Sequence, residues 1–303
     1  MSGSSAFTRN PGPSWGFGFM SWAERCWPRW IFRPILMAGT WVGVALMPRQ
    51  RMHSRAYLDV VFGRPARLVE VWRHFFAFVD FLMLKLRAGR GAELHCALQP
   101  ENAAAFETLV RSDRPALFGT FHFGSSDLLG YLLSDRGRCV SIIRLRLGNS
   151  DDTRLLGERF GGRVSFLWIN DSTKLLLDLK AAIEAGDSLA LKCDRVEFSA
   201  RNEPFDFLGA RRLFPFTIYH LAFLFNQPVV FCTAVPDGSE AGLRVFASPV
   251  FEPDPAAGRE ANTRVARRHF QDVLTQLEAL VRQYPFLWFN FLPLNPVAPA
   301  ALR

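Results

Sequence analysis

Apolar and polar positions follow two rhythms along the second part of the chain. Short apolar runs predict six strands, whose bounds are Ala116–Phe121, Arg138–Ile143, Arg163–Trp168, Ser188–Cys193, Pro228–Val235 and Leu243–Ser248. Apolar residues at helical spacing lie between and after these runs and predict helices over Asp127–Leu133, Asp151–Phe160, Ser172–Ala185, Phe216–Phe225 and Glu260–Gln283. Repeated alternation of strand and helix is typical of a parallel sheet covered by helices. We therefore predict an α/β domain with a mostly parallel or mixed sheet flanked by helices.

Two further helices are predicted ahead of the first strand. The segment Leu68–Leu86 is apolar around most of its circumference, and Glu70, Arg73 and His74 form a polar strip at helical spacing. We expect His74 to belong to that strip rather than to an active site. A second helix is predicted near Glu101–Ser112.

The N-terminal stretch has another pattern. Residues 1–20 are rich in Gly, Ser and Pro, and we expect the start to be flexible; from Trp15 to Pro48, apolar and aromatic residues are interspersed with arginines. The uninterrupted apolar run Ile35–Met47 has 13 residues, whereas a helix needs about 20 to span a bilayer. We predict N-terminal helices that lie in the membrane interface, with Trp side chains at the level of the lipid headgroups. A single tilted span and a helix packed on the domain are the alternatives.

Positive charge is concentrated in the same part of the chain. Residues 1–90 contain 13 Lys and Arg against 4 Asp and Glu, and the remaining residues contain 23 against 24. A basic segment rich in Trp and Phe favours an anionic membrane surface over nucleic acid, because no motif that reads nucleic acid accompanies it. We therefore divide the chain into a flexible, membrane-anchoring segment, residues 1–60, and one α/β domain, residues 61–303.

The five cysteines form no CxxC pair. Cys139, Cys193 and Cys232 lie in or beside apolar runs, where a reduced, buried thiol is the ordinary state. The pattern indicates a reducing compartment and argues against a zinc site. The N-terminus also lacks the basic start and compact apolar core of a secretory signal.

The stretch Pro115–Leu133 carries the residues with the strongest chemical interpretation. A predicted strand leads to His122, a Gly-Ser-Ser turn follows, and Asp127 opens the next helix. Residues five apart do not share a helix face, so this pair can meet only if the chain turns between them, which Gly124 allows. In such a pair the carboxylate orients the imidazole, whose other nitrogen takes the proton of a hydroxyl group. The alternative is a core histidine beside an aspartate that caps a helix.

Charged residues also follow the ends of other predicted strands. Arg144 and Arg146 follow one of them, and Asp194 and Arg195 follow another. Ligands gather at the carboxyl ends of strands in open α/β sheets, and arginines there could hold phosphate groups by paired hydrogen bonds. The alternative is that these are solvated loop charges. The sequence contains no GxSxG, GxGxxG, Walker A or HExxH motif, and Trp288 is interpreted as a packing residue.

Five ordered stretches resemble one enzyme family. HFGSSD, residues 122–127, resembles the HxxxxD/E block of the lysophospholipid acyltransferase superfamily, in which the bacterial lipid A late (lauroyl/myristoyl) acyltransferases are the most similar group. The other stretches, in chain order, are IIRLRLGNSDDTRLLGERFGG, LALKCDR, FDFLGARRLFPFTIYHLA and YPFLWFNFLPLN. Together the stretches cover about residues 65–295.

The resemblance implies a membrane-bound acyltransferase that uses a thioester of acyl carrier protein or coenzyme A and needs no resident cofactor or metal. It implies a catalytic dyad of His122 and Asp127, with Asp127 orienting the imidazole. The predicted substrate-binding residues are Arg144, Arg159, Asp194 and Arg195.

The sequence departs from the family pattern in the motif itself and near the C-terminus. Asp127 replaces the usual Glu, Ser125-Ser126 replaces Asn-Trp, and Leu287 stands where Gln is expected. These departures favour the acceptors of aryl polyene or other specialised lipids over lipid A. We hypothesise transfer of a fatty acyl or polyene acyl group to a lipid or glycolipid hydroxyl at the cytoplasmic face of a bacterial inner membrane. The alternatives are a thioesterase or lipid hydrolase with the same dyad, and an inactive lipid-binding scaffold.

Overall fold

The computed structural model describes residues 14–130, 133, 136–144, 162–169, 174–199, 201–239 and 241–299. Within these ranges the strands are β1 (His95–Leu98), β2 (Leu117–Thr120), β3 (Val140–Arg144), β4 (Val164–Trp168), β5 (Ser188–Lys192), β6 (Asn202–Phe207), β7 (Ala210–Pro215), β8 (Val229–Pro236) and β9 (Gly242–Ala247). The α-helices are α1 (Ser14–Cys26), α2 (Arg29–Leu46), α3 (Pro48–Phe62), α4 (Leu68–Gly89), α5 (Ala103–Arg111), α6 (Leu175–Glu184), α7 (Thr217–Phe225) and α8 (Arg259–Gln283).

Seven of these strands form one sheet in the order β1-β9-β8-β2-β5-β3-β4. Neighbouring strands are parallel except β8 and β9, which are antiparallel. All four residues of β2 and all but the last residue of β8 are buried, as expected for strands covered on both faces. The predicted α/β class, with a mostly parallel sheet, is confirmed, and all six predicted strands are present with bounds shifted by at most two residues.

Two hydrophobic clusters cover the two faces of the sheet. Leu117 on β2 and Val229 on β8 pack in a cluster with α3, α7 and α8, whereas the next residues, Phe118 and Val230, pack in a cluster with α4 and α5. Successive side chains of a strand point to opposite faces, so each central strand contributes to both clusters. Burial of this apolar surface stabilises the fold by about 25 cal/mol per Å².

The short strand β1 and the hairpin of β6 and β7 were not predicted. The hairpin turns at Leu208 and Gly209, both with positive φ, and its strands pair antiparallel. Phe205 of the hairpin packs edge-on against Phe270 of α8 at a centroid distance of 4.9 Å. The pattern of β6 is hidden because Pro204 and two acidic residues interrupt it, and β1 alternates between exposed and half-buried positions.

The N-terminal helix α2 buries only a narrow stripe of its surface. The stripe consists of Phe32, Leu36, Thr40 and Val44, four residues apart, and all are less than 9% exposed. Many large apolar side chains on α1 to α4 lie outside any buried stripe and are exposed: Phe19, Trp22, Trp30, Ile35, Met37, Trp41, Val42, Leu46, Met52, Leu68 and Val69. We call this set the N-terminal apolar surface.

Among the described residues no single helix combines the length and apolar character needed to cross a membrane. Residues Trp30–Leu46 and the helix Pro48–Phe62 meet those criteria only as a pair, with a bend of 98° between them. The segment predicted to be flexible at its start is helical from Ser14 onward, and residues 1–13 lie outside the described part. Helix α3 crosses residue 60 and places Tyr57 in the main hydrophobic cluster, while the division of the chain at that residue stays a prediction.

The other predicted helices have mixed outcomes. Those near Glu101–Ser112, Ser172–Ala185, Phe216–Phe225 and Glu260–Gln283 are present as α5 to α8. The helix predicted over Asp151–Phe160 lies outside the described residues. The helix predicted from Asp127 begins with a 3₁₀ turn over Ser126–Leu128.

Candidate functional site

The register of two neighbouring parallel strands brings His122 beside Asp194. Thr120 at the end of β2 pairs with Lys192 at the end of β5, and each chain continues for two residues to reach His122 and Asp194. The His122 Nδ1 atom lies 2.7 Å from Asp194 Oδ1, and the His122 backbone N–H donates to Asp194 Oδ2 at 2.7 Å. The carboxyl edge of the sheet therefore holds a hydrogen-bonded histidine–carboxylate pair.

The carboxylate of Asp194 is fully buried and receives three hydrogen bonds. Besides the two from His122, the indole N–H of Trp288 donates to Oδ2 at 2.9 Å. Burial raises the pKa of Asp194, but the interactions with His122, Arg195 and Lys192 outweigh it and hold that pKa well below its usual range. Asp194 is therefore an anion at neutral pH.

The imidazole of His122 is neutral and has one nitrogen available. Burial, then the charges of Arg195 and Lys192, lower the pKa of His122 to about 3, although Asp194 acts in the opposite direction. A carboxylate can only accept, so Nδ1 carries the proton and Nε2 has a lone pair. Nε2 has no hydrogen-bond partner among the described residues, and the side chain is 21% exposed. This arrangement suits a general base.

Asp127 does not orient His122, so that prediction is wrong. Its carboxylate pairs with Lys192 Nζ through Oδ1 at 2.5 Å and with Lys85 Nζ through Oδ2 at 3.1 Å. Burial raises the pKa of Asp127, but the charges of Lys192, Lys85 and Arg144 outweigh that effect and hold the pKa well below its usual range. The 3₁₀ turn that carries Asp127 directs its carboxylate to the end of β5 and to α4 instead of to the imidazole.

Among the described residues, four cationic side chains lie around Asp127 and the His122–Asp194 pair. We call them the cation cluster, and they are Lys85, Arg144, Lys192 and Arg195. Lys85 is only 7% exposed and projects from α4. Arg144 ends β3, and its charge acts on Asp127. Arg195 follows Asp194, and its charge acts on His122; its buried Nε atom has no hydrogen-bond partner within the described part of the chain.

Among the described residues, the carboxylates of Asp127, Asp194 and Glu197 act on members of the cation cluster. Three of the predicted site residues, Arg144, Asp194 and Arg195, are thus at the same edge of the sheet as His122. Two predicted positions, Arg146 and Arg159, lie outside the described residues. A group of charges of this kind suits an anionic ligand such as a phosphate.

The main chain around His122 is fixed by a glycine and by the C-terminal segment. Gly124 has φ +58°, and a Cβ atom there would lie 2.0 Å from the Ala234 carbonyl oxygen. Its N–H donates to Leu287 O at 2.7 Å, and the N–H of Phe289 donates to His122 O at 2.7 Å. The turn after β2 therefore requires glycine, because any side chain would collide with β8.

Sequence reasoning missed four residues of the site. Lys85 is a single cation in the apolar run Phe81–Leu86, and Lys192 is the charged residue at the end of an apolar strand, so each carried a weak signal. Trp288 packs as predicted but also bonds to Asp194. His74 is fully buried instead of belonging to a polar strip, because it bonds to the carbonyl of Trp288.

Within the described ranges no three His, Cys, Asp or Glu side chains are grouped so as to bind a metal ion.

No protein-family model matches the chain, and no curated protein matches it either. Among solved structures, the crystal structure of the 1-acyl-sn-glycerophosphate (LPA) acyltransferase, PlsC, from Thermotoga maritima is similar. The TM-score is 0.37 at 14% sequence identity, and the match covers 83% of this chain and 98% of that chain. A likeness of this size carries no argument for the activity, which depends on the residues of the site.

Proposed function

We propose that the chain is a membrane-associated acyltransferase that moves a fatty acyl or polyene acyl group from a thioester to a lipid or glycolipid hydroxyl. The observation that carries this proposal is the neutral His122, held through Nδ1 by the buried Asp194 and with Nε2 unpartnered among the described residues. A base of this kind can activate a hydroxyl without a covalent intermediate on the protein.

The reaction needs one proton acceptor and one charged partner for it. His122 Nε2 takes the proton of the acceptor hydroxyl while the oxygen forms a bond to the thioester carbonyl carbon. The imidazolium that results lies 2.7 Å from Asp194, which stabilises its charge. When the carbon–sulfur bond breaks, the thiolate leaves and the imidazolium returns the proton to sulfur. The products are an ester and a thiol, and the base is regenerated.

Asp127 takes a different role in this proposal from the one its spacing suggested. It is the counter-ion of Lys85 and Lys192, which otherwise would be two adjacent positive charges, one of them buried. Paired in this way, the lysines keep a fixed position beside the dyad. Asp127 therefore supports the site through the cation cluster and not through the imidazole.

The cation cluster is proposed to bind the phosphate of the donor or of the acceptor lipid. Arg195 supports this role because its charge acts on His122 and its buried Nε atom has no hydrogen-bond partner among the described residues. Arg144 and Arg159 stay predicted substrate-binding residues. Thioesters of acyl carrier protein and of coenzyme A both carry phosphate groups, so either donor is compatible with the cluster.

Membrane association is supported by the N-terminal apolar surface. Trp30 and Leu46 are 76% and 75% exposed at opposite ends of α2, and Arg33 and Arg49 are exposed near them. Exposed apolar side chains flanked by arginines suit the interface of an anionic bilayer. We propose that this surface holds the chain at the cytoplasmic face of a bacterial inner membrane, where a lipid acceptor is at hand.

The test is a product analysis with purified full-length chain. Thioesters of acyl carrier protein and of coenzyme A, carrying an isotope-labelled acyl group, are incubated with vesicles of bacterial lipids, and the lipids are analysed by mass spectrometry. The proposal expects label in a lipid or glycolipid ester. Label found only in free fatty acid would show hydrolysis instead of transfer. Water could serve as the acceptor because the His122 side chain is partly exposed. No consumption of either donor, despite binding to the vesicles, would favour the scaffold alternative.

A further inference from the structure

Trp288 connects the dyad to the helices α3 and α4. Its indole N–H donates to Asp194 Oδ2 at 2.9 Å, and its main-chain carbonyl lies 2.8 Å from His74 Nε2. The side chain is 1% exposed, so it does not reach a bound substrate. One buried residue thus contacts Asp194 with its side chain and His74 with its main chain.

His74 holds the other end of this connection in a defined tautomer. Burial lowers the pKa of His74 to about 4, so the ring is neutral at pH 7. Because the Trp288 carbonyl can only accept, Nε2 carries the proton, and Nδ1 accepts from the hydroxyl of Ser54 at 2.8 Å. All hydrogen-bonding atoms of the ring are therefore satisfied, and its orientation is fixed.

The segment around Trp288 is bound on both sides. Phe123, next to His122, pairs with Trp288 as an antiparallel bridge. On the opposite side the Tyr57 hydroxyl of α3 donates to Pro285 O at 2.9 Å, and the Tyr57 ring packs edge-on against Trp288 at 5.2 Å. The indole N–H can therefore not turn away from Asp194 without breaking these contacts.

We infer that Trp288 and His74 are positioning residues for the His122–Asp194 pair. The inference rests on the proposed role of His122 as the base. Two N–H groups fix Oδ2 of Asp194, one from Trp288 and one from the His122 main chain, which leaves Oδ1 for the imidazole. Any large aromatic ring at position 288 could fill the same space, but only an indole also donates an N–H to Asp194. A variant that keeps a ring and lacks the N–H therefore distinguishes a positioning role from a packing role.

The experiment compares Trp288→Phe with Trp72→Phe in the full-length chain. Trp72 also donates its indole N–H, but to the Met37 carbonyl on α2 at 3.2 Å, which makes it a matched control. The first readout is the low-field proton NMR signal of the His122 Nδ1–H, assigned by its loss in His122→Ala. The second is the pH profile and the separate values of kcat and KM for acyl transfer.

For Trp288→Phe we expect the His122 signal to move and kcat to fall about 10-fold or more at unchanged KM, the size expected for a lost hydrogen bond to a charged group. The acid limb of the pH profile should move to higher pH, because Asp194 loses a donor that favours its anion. Trp72→Phe should leave both readouts unchanged. A folded Trp288→Phe chain with an unchanged His122 signal would overturn the inference.

His74 variants keep the test open if Trp288→Phe does not fold. A glutamine at position 74 offers an N–H near the place of Nε2, whereas leucine offers none, so His74→Gln should retain more of the His122 signal and of kcat than His74→Leu. Equal values in two folded variants would overturn the role of His74. The NMR readout needs no turnover, so a shifted signal in a chain without acyl transfer would refute the proposed reaction and leave the positioning role standing.

Discussion

Asp194 binds the ring and the main chain of the same histidine: its Oδ1 lies 2.7 Å from His122 Nδ1 and its Oδ2 accepts the His122 backbone N–H at 2.7 Å. One buried carboxylate therefore sets the tautomer, the orientation and the position of the proposed base.

Replacing Asp194 should damage the chemistry, whereas replacing Asp127 should chiefly damage stability. In Asp194→Asn the amide can donate to Nδ1 and favour the wrong tautomer of His122, so kcat should fall by about 10⁴-fold, as for a triad aspartate. In Asp127→Asn the buried Lys85 loses the charge of a carboxylate at 3.1 Å, so the free energy of unfolding should fall by about 3–5 kcal/mol. Steady-state kinetics and urea unfolding of both variants check this. A loss of kcat in folded Asp127→Asn equal to that in Asp194→Asn would contradict the assignment of Asp194 as the orienting residue.

The activity should not follow the titration of an ordinary histidine. Because the pKa of His122 is lowered to about 3, the base stays neutral as the pH falls through 6.5, and kcat/KM should be flat between about pH 8 and pH 5.5. Arg195 contributes to that shift after burial, so Arg195→Met should raise the pKa of His122 and move the acid limb to higher pH. Arg195→Lys, which keeps the charge, is the matched control. A wild-type profile that halves near pH 6.5 would show that the base is not held in this environment.

The free energy of unfolding should decrease as the pH is lowered from 6.5, before the carboxylates become protonated. The pKa of His74 is lowered to about 4 and that of His122 to about 3, so below pH 6.5 the unfolded chain binds protons that the folded chain does not. Each group should therefore cost about 1.4 kcal/mol per pH unit on going from pH 6.5 towards 4.5. Urea unfolding at several pH values measures this slope. Removal of one such group in His74→Gln should reduce the slope, and an identical slope would mean that His74 is not buried and neutral.

The N-terminal apolar surface should control membrane binding. Trp30→Glu with Leu46→Glu removes two strongly exposed apolar side chains and adds negative charge, so binding to anionic vesicles should weaken at least about 10-fold. The fold should be unaffected because neither side chain is in the core. Val265→Glu, at a position 57% exposed on α8, is the matched control in a vesicle co-sedimentation assay. Equal binding of all three proteins would exclude this surface as the attachment site.

The sequence was sufficient for the sheet but not for the pairing at its edge. Strands such as β8 are buried on both faces of the sheet and therefore appear in the sequence as continuous apolar runs. Their existence could be predicted for this reason. The order of the strands could not, because the contacts that set it join residues far apart in the chain. Because the sequence alone does not show that β2 and β5 are adjacent, the spacing favours the nearby Asp127 as the partner of His122.

The buried histidine and tryptophan show a second limit. His74 lies one helical turn from Glu70 and looks like part of a polar strip, yet it points to the core because Ser54 and the Trp288 carbonyl satisfy its ring. Of these two partners, Trp288 is 214 positions away from His74 in the chain. A polar residue on a predicted helix therefore cannot be assigned to solvent until the distant segment that packs on it is known.

The proposed role of His122 as the general base is tested most directly by the rate of acyl transfer by His122→Ala. The rate is measured at saturating donor and acceptor with a chain shown to be folded. We expect a kcat lower by about 10²–10⁴-fold, the usual contribution of a general base, with unchanged binding to vesicles. A folded His122→Ala chain that transfers acyl groups at the wild-type rate would contradict that role.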